Sequence, residues 1–500
     1  MPLASTSFPL REIRVTRLWN DDAYTYSIPI GTSDPVTLIH GINGCGKTTF
    51  LKLISYFGSG RIPAMTAIPF ESLTLEYETG TLTIVQGNRT APASSPDDKR
   101  RSLSALRRFE PERLKAYQRH KLAHTCSLTT LTFTFERKDG SRPDAWEFEM
   151  SDEEWATVIC DAVEPVYRKG LDTFEDTSTN REFSAQELIA AFRDYPGVSN
   201  EVTDECPQWL QSLADSCDLR LIETQRLQRL SRTRNDAQVR YRARGDQQSL
   251  VKTVDWCAAD MQKRLADNYS TFAETSQRLD RDFTIRVLAQ PSAGGTASPH
   301  DIAQLKNAYE KVRGKQQKLS DAHIYGDTPM PEFPTRELTA PECGMLVTFV
   351  SDMDSKLAAF DSLHSSAAMF LSTINGLLQG KEVELDGKKD GMAVRLHGRH
   401  SHDGDVPRLP LSALSSGEQH LLVLFYDVIF QPRNKPMLMM IDEPEISLHI
   451  SWQERLVDLL ERACLESGAR MIVATHSPQI VNGRPFVALG GGGGETDEED

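Results

Sequence analysis

With 71 acidic against 56 basic side chains in 500 residues and a formal net charge of −15, the chain is too acidic for a general nucleic-acid binder, so DNA contact would need local basic patches. Its composition, 39% hydrophobic and 25% charged, is that of a globular protein of about three domains, and no apolar run nears the roughly 18 residues that span a bilayer, so no membrane contact is expected. Eight scattered cysteines without a C-x-x-C pair, and no basic-then-apolar segment in Met1 to Leu10, point to reduced thiols in a cytoplasm and exclude a disulfide framework.

Residues 10 to 40 read as two strands and a third that feeds a loop. Ile13, Val15 and Leu18 partly alternate with polar residues, as do Tyr24, Tyr26 and Ile28, and Val36 to His40 is a strand-like run. The loop is Gly41-Ile42-Asn43-Gly44-Cys45-Gly46-Lys47-Thr48-Thr49, and the apolar stretch Phe50 to Ile54 leads out of it as a helix. Strand, glycine-rich loop and helix are the setting of a phosphate-binding loop. The glycines let backbone N–H groups of Asn43 to Thr49 point inward as an anion nest, Lys47 reaches the β- and γ-phosphates, and the Thr48 hydroxyl holds Mg2+. Leu73 to Tyr77, a turn at Gly80 and Leu82 to Ile84 then predict an antiparallel hairpin, with further strands at Thr129 to Phe135 and Trp146 to Met150.

Two basic stretches interrupt this pattern. The first runs from Lys99 to Lys121. The second follows the short strand predicted within Leu219 to Leu227 and carries Arg229, Arg232, Arg234, Arg240, Arg242 and Arg244. Each reads as a solvated face or as a contact for phosphates or an acidic partner. Residues 151 to 215 read as mostly helical. Residues 248 to 325 and 340 to 380 carry long helical patterns, broken by Pro291 to Pro299 and Pro329 to Pro334 into a hairpin of helices. Their apolar spacing is not a clean heptad, so a short helical arm is expected, not a long coiled coil. Lys381 to Leu396 reads as a hairpin. His397, His400 and His402 read as its loop more than as a metal site, because no cysteine or glutamate cluster accompanies them. Gly490 to Asp500 reads as a flexible acidic tail whose role is solubility or docking on a basic patch.

Three later stretches carry chemistry. Met437 to Ile441 is a buried-strand run ending in Asp442 and Glu443, where an open α/β sheet binds ligands; Asp442 suits the Mg2+ shell and Glu443 a general base. Met471 to Thr475 is a second buried strand, ending in His476, placed to neighbour the first and to reach a γ-phosphate. Leu414-Ser415-Ser416-Gly417-Glu418-Gln419 opens an apolar helix with serines and a glycine, again a design for an anion.

Taken together, Gly41 to Thr48 resembles a Walker A motif, Leu414 to Gln419 the ABC signature, Met437 to Glu443 a Walker B motif, and His476 the switch histidine. Their order is that of the ABC-class ATPases related to RecF, SMC proteins and the OLD nucleases. Ser415 to Gln419, Ile441 to His449 and Ala474 to Pro478 look like the OLD-like ATPases of bacterial antiphage operons such as PARIS and Septu. The resemblance covers about 130 residues. It implies an α/β, ABC-type P-loop ATPase head with a β-lobe, a parallel core sheet and an inserted helical arm. The expected division is 1–150 for the N-terminal half of the head, 151–380 for the helical insertion, 381–489 for the C-terminal half and 490–500 for the tail. ATP and Mg2+ are the implied cofactors. They would be held by Asn43 to Thr49, by Asp442, and by Ser415 to Glu418 of a partner copy, with Glu443 and His476 catalytic. A homodimer or higher oligomer is implied. OLD nucleases continue into a Toprim domain, which no segment after His476 matches, so a separate nuclease-like effector and a phage trigger protein are the expected partners. The alternative is a DNA-repair-type clamp that uses the basic patches.

Overall fold

The computed structural model describes residues 8–31, 34–91, 126–163, 166–170, 173–177, 179, 181–192, 206–222, 228–230, 250–289, 298–326, 329–386, 391–397, 408–430, 435–446 and 448–489. The chain divides into two compact units. One comprises residues 1–224, 432–445 and 464–500, and the other residues 225–431 and 446–463.

The first unit holds two large sheets and a small one. An antiparallel lobe has six strands: β1 (Leu10–Thr16), β2 (Tyr26–Pro29), β4 (Ser72–Tyr77), β5 (Gly80–Ala91), β6 (Cys126–Arg137) and β7 (Asp144–Ser151), in the order β2-β1-β4-β5-β6-β7. Its alternation is that of a half-buried sheet: Leu73, Leu75 and Tyr77 face the core while their neighbours are partly solvated. The second sheet is wholly parallel and takes strands from both ends of the chain. It contains β3 (Val36–Gly41), β8 (Asp218–Ile222), β9 (Met437–Asp442), β10 (Arg470–Thr475) and β11 (Phe486–Leu489), in the order β8-β9-β10-β3-β11. All six residues of β9 are buried, as expected of an interior parallel strand. Helix α1 (Lys47–Gly58) buries Phe50, Leu51, Leu53, Ile54, Tyr56 and Phe57 in one core with residues of both sheets. This is the α/β P-loop arrangement, β-lobe plus parallel core sheet, that the sequence leads one to expect.

Among the described residues of 151 to 215 helix predominates, with short strands that the sequence did not signal. Helices at Asp152–Ala162, Ala185–Phe192 and Gln208–Ser216 are joined by a three-stranded antiparallel sheet of Val166–Arg168, Phe174–Asp176 and Arg181–Phe183. Strands of three residues are too short for a two-residue period to show.

The second unit is built on α2 (Thr253–Leu288), 36 residues long. Val254, Cys257, Met261 and Leu265 are buried; beyond them its faces are largely solvated. The antiparallel strands Lys381–Asp386 and Gly391–Leu396 lie against this root. Gly391, at φ +72°, is required there, because a Cβ would fall 2.2 Å from the Ala258 carbonyl oxygen of α2. Helices α3 (Pro299–Asp321) and α4 (Ala340–Leu357) complete the arm, α4 packing on both others. α4 runs antiparallel to α2: Lys356 pairs with Asp280, and Arg286 forks onto the buried Asp352 with both nitrogens at 2.6 Å. Helix α5 (Asp361–Asn375) packs on α6 (Ser416–Ile429), whose Leu421 to Ile429 are all buried. Helix α7 (Ile450–Ser467) follows.

Candidate nucleotide site

The loop between β3 and α1 is the floor of the site. Gly44 and Gly46 have φ +84° and +92°, the left-handed region in which a side chain is strained. A Cβ on Gly46 would also sit 2.9 Å from Leu18 Cδ2 and 3.1 Å from the Trp19 ring, so sterics and backbone both demand glycine. Gly46 is the N-cap of α1 and offers no capping side chain, which leaves the first-turn N–H groups for an anion. The Tyr26 hydroxyl donates to the Cys45 carbonyl at 2.6 Å and pins the loop to the lobe.

Lys47 is only 5% exposed and makes no ion pair among the described residues. Its Nζ donates to the carbonyl oxygens of Gly41 (2.7 Å) and Ile42 (3.1 Å) and lies 3.9 Å from Cys45 Sγ. A buried cation held by carbonyl dipoles alone is a site prepared for an anion.

The two ends of the chain meet at the next residue. Thr48 Oγ1 donates to Asp442 Oδ2 at 2.7 Å, across 394 positions of sequence. Parallel pairing makes this possible: β10 lies between β3 and β9, with Ala474 opposite both Ile39 and Asp442, so β9 ends level with Ile39, two residues before β3 ends. Asp442 is buried. Burial pushes its carboxyl above the ordinary value and the charge of Glu443 adds to this, against the Thr48 hydrogen bond and the Lys47 charge. A hydroxyl and a carboxylate beside an anion nest fit a Mg2+ that takes its other ligands from phosphate and water. Among the described residues no group of three His, Cys, Asp or Glu side chains forms a metal cage.

The raised Asp442 value carries a sign. Such a group contributes most while protonated, and the contribution is lost as pH rises from the ordinary 3.8 through the raised folded-state value. At neutral pH the ionised carboxylate therefore costs stability. Asp442→Asn, without Mg2+, is expected to be more stable than wild type at pH 7, because it removes the desolvated charge. Calorimetry should show the difference shrinking as pH falls toward 4, and Mg2+-dependent turnover should be lost.

Glu443 has φ +44°, unusual for a residue with a side chain, and its N–H donates to the Ala474 carbonyl at 2.8 Å. Its carboxylate is 25% exposed and lies 3.6 Å from Nδ1 of His476, whose ring is 42% exposed. Glu445, 5% exposed, lies closer, with Oε1 at 3.1 Å from the same nitrogen. Asn43, Gly44, Cys45, Gly46, Lys47, Thr48, Thr49, Asp442, Glu443 and His476 thus all belong to the first unit.

Ser415, Ser416, Gly417 and Glu418 belong to the second. Ser415 caps α6 in a reciprocal box: its N–H and hydroxyl donate to Glu418 Oε2 at 2.7 and 2.8 Å, and its Oγ accepts from the Glu418 N–H. Lys381 Nζ adds a third bond to that oxygen at 2.8 Å. Burial raises the Glu418 carboxyl, but the Lys381 and Ser415 bonds outweigh it and leave the group below its usual value. The carboxylate is occupied by the cap, so Glu418 holds the exposed Ser415–Ser416 turn in shape.

Sequence reasoning passed over Tyr26, Trp19 and Glu445. Glu445 stood in view two residues after Glu443. Arg17, Trp19 and Asn20 all have positive φ, with Leu18 between the first two, and only the fold places the Trp19 ring against Gly46. His397 pairs at the surface with Glu382 through Nε2 at 3.4 Å. His400, His402, the acidic tail, Lys99 to Lys121 and Arg232 to Arg244 lie outside the described residues. No helix among those described is long and apolar enough to cross a membrane.

Residues 229–482 match the family described as "AAA domain, putative AbiEii toxin, Type IV TA system". The match contains Ser415 to Glu418, Asp442, Glu443 and His476, while Asn43 to Thr49 precede it. No curated protein matches the chain. Solved structures similar to it include the Smc head domain of Pyrococcus furiosus with an extended coiled coil, bound to the C-terminal domain of ScpA (13% identity, 95% of this chain and 91% of that one, TM-score 0.34). The SMC head domain of Thermotoga maritima matches at 11% identity over 95% and 91% of the two chains, with TM-score 0.27. The Smc head domain of Pyrococcus yayanosii, with a coiled coil and joint, matches at 11% over 95% and 93%, with TM-score 0.30.

Proposed function

The chain belongs to the AAA-domain family that its residues 229–482 match, and from that premise we propose that it binds ATP with Mg2+ and hydrolyses it. The observation that carries the reading is the bond between Thr48 and Asp442, which joins the Walker A and Walker B motifs beside Glu443 and His476. Lys47 leaves the Gly41 and Ile42 carbonyls for the β- and γ-phosphates, and the Asn43 to Thr49 backbone cradles them. Thr48 and Asp442 would hold Mg2+, which would supply charge neutralisation for the phosphate oxygens. Glu443 takes the proton of the attacking water, and His476 meets the γ-phosphate.

Ser415 to Gly417, shaped by the Glu418 cap, serve the nucleotide of a second copy, so the working unit is at least a homodimer that closes on ATP and opens on hydrolysis. In this reading the halves of the head are residues 1–150 and 381–489, and 151–380 lie between them as an insertion that also supplies β8 to the parallel sheet. The protein acts in the cytoplasm as the sensor and scaffold of an antiphage system, holding a separate nuclease-like effector until a phage protein triggers release. The likeness of Ile441 to His449 and Ala474 to Pro478 to OLD-like defence ATPases supports this, as does the net charge of −15, which disfavours DNA as the ligand. The test is ATP turnover by purified protein with and without duplex DNA, at low and moderate salt. Slow turnover indifferent to DNA is expected. Stimulation of several-fold that salt abolishes would put a DNA clamp in its place.

A further inference from the structure

The turn after β9 carries a second glutamate that the mechanism above does not use. One oxygen of Glu445, Oε1, gathers three contacts from the end of β10: the Thr475 hydroxyl donates to it at 2.7 Å, the His476 backbone N–H at 2.9 Å, and His476 Nδ1 lies 3.1 Å away. Thr475 Oγ1 in turn accepts from the Ser477 N–H at 2.9 Å, so residues 475 to 477 hang on one carboxylate. Thr475 and Glu445 are both buried, and Glu445 Oε2 has no hydrogen-bond partner among the described residues. Burying a carboxylate with one oxygen unsatisfied is costly, and a plain turn after a strand does not require it.

The competing contact gives the arrangement its meaning. The same Nδ1 lies 3.6 Å from Glu443 Oε1, so two carboxylates face one ring nitrogen and Glu445 is the nearer by 0.5 Å. Whichever carboxylate holds Nδ1 fixes the ring and leaves Nε2 to face outward. If Glu443 held it, the base would be tied up in an ion pair.

We propose that Glu445 is a positioning residue that captures Nδ1 of His476, orienting Nε2 toward the nucleotide and keeping the Glu443 carboxylate free to accept a proton from water. The proposal rests on the ATPase reading above. It assigns Glu445 no contact with nucleotide and makes it act wholly through His476.

Glu445→Gln tests it, because the amide keeps the volume and an acceptor for Thr475 while removing the charge that outcompetes Glu443. The expected result is a fall in kcat of roughly tenfold or more, within the range one general acid–base group contributes, with KM for ATP and Tm unchanged. In a His476→Ala background the same substitution should lower kcat no further, since no ring remains to be captured. Glu445→Asp, which keeps the charge, should recover part of the loss. Additive losses in the double variant would overturn the proposal while leaving the ATPase reading intact. A raised KM or lowered Tm with kcat preserved would overturn it too, making Glu445 a rivet between strands. Wild-type turnover no faster than that of Lys47→Ala would sink the ATPase reading and the proposal together.

Discussion

Lys47→Ala is expected to bind ATP at least an order of magnitude more weakly than the wild type, while the nucleotide-free protein melts no lower. Both halves follow from the surroundings of Lys47. Among the described residues its Nζ has only the carbonyls of Gly41 and Ile42 as hydrogen-bonding oxygen partners, so the buried charge is incompletely compensated in the absence of phosphate. Removing it relieves a desolvated cation and leaves two carbonyls on a loop that can turn to water. With nucleotide present, the same change removes at least one charge-assisted bond worth about 1.5–3 kcal/mol from a water-poor site. Affinity should therefore drop by roughly 10- to 150-fold. Calorimetric titration with Mg2+–ATP, beside a melting curve without nucleotide, reads both quantities. A wild-type-like affinity would mean that the loop does not bind phosphate.

Glu443→Gln should separate binding from turnover. The substitution keeps the shape and leaves the backbone bond from residue 443 to Ala474 in place, but the amide cannot take a proton from water. Turnover should fall by about 10²- to 10⁴-fold with ATP affinity retained. Because nucleotide is no longer consumed, ATP should protect this variant against heat for longer than it protects the wild type; at a hundredfold excess over Kd the protection amounts to about 2.7 kcal/mol. Single-turnover hydrolysis and melting curves with and without Mg2+–ATP provide the check. Hydrolysis at the wild-type rate would remove Glu443 from the role of base.

Much of this geometry could be read in advance because it is local. The run Val36 to His40 is β3, the glycines bend the chain where the loop needs them, and α1 starts at Lys47. Met437 to Asp442 is a fully buried strand because six apolar or terminal positions in a row can be nothing else between two neighbours. The neighbourhood of β9 and β10 was also foreseeable, and they pair with Asp442 opposite Ala474. What could not be read depends on distance or on conformation. The φ of Glu443 is imposed by the bond its N–H makes to Ala474, thirty-one residues on. Which of two glutamates holds His476 is settled by fractions of an ångström. The short strands between Val166 and Phe183 have no period to detect, and the positive-φ residues Arg17, Trp19 and Asn20 include only one of a type commonly found there.

The place of β3 bears on how the protein is made. Its two neighbours in the sheet are β10 and β11, both formed after residue 469. A ribosome adding about 5–20 residues per second needs roughly 20 to 90 seconds to travel from the phosphate loop to those strands. Throughout that interval the strand bearing the loop has neither edge paired, and Thr48 has no Asp442 to meet. The nucleotide site is therefore completed only when residues 470–489 have been made and their strands dock on either side of β3. Nascent chains should be blind to ATP until then, and during that time the unpaired β3 is the segment most exposed to wrong pairing and most dependent on a chaperone.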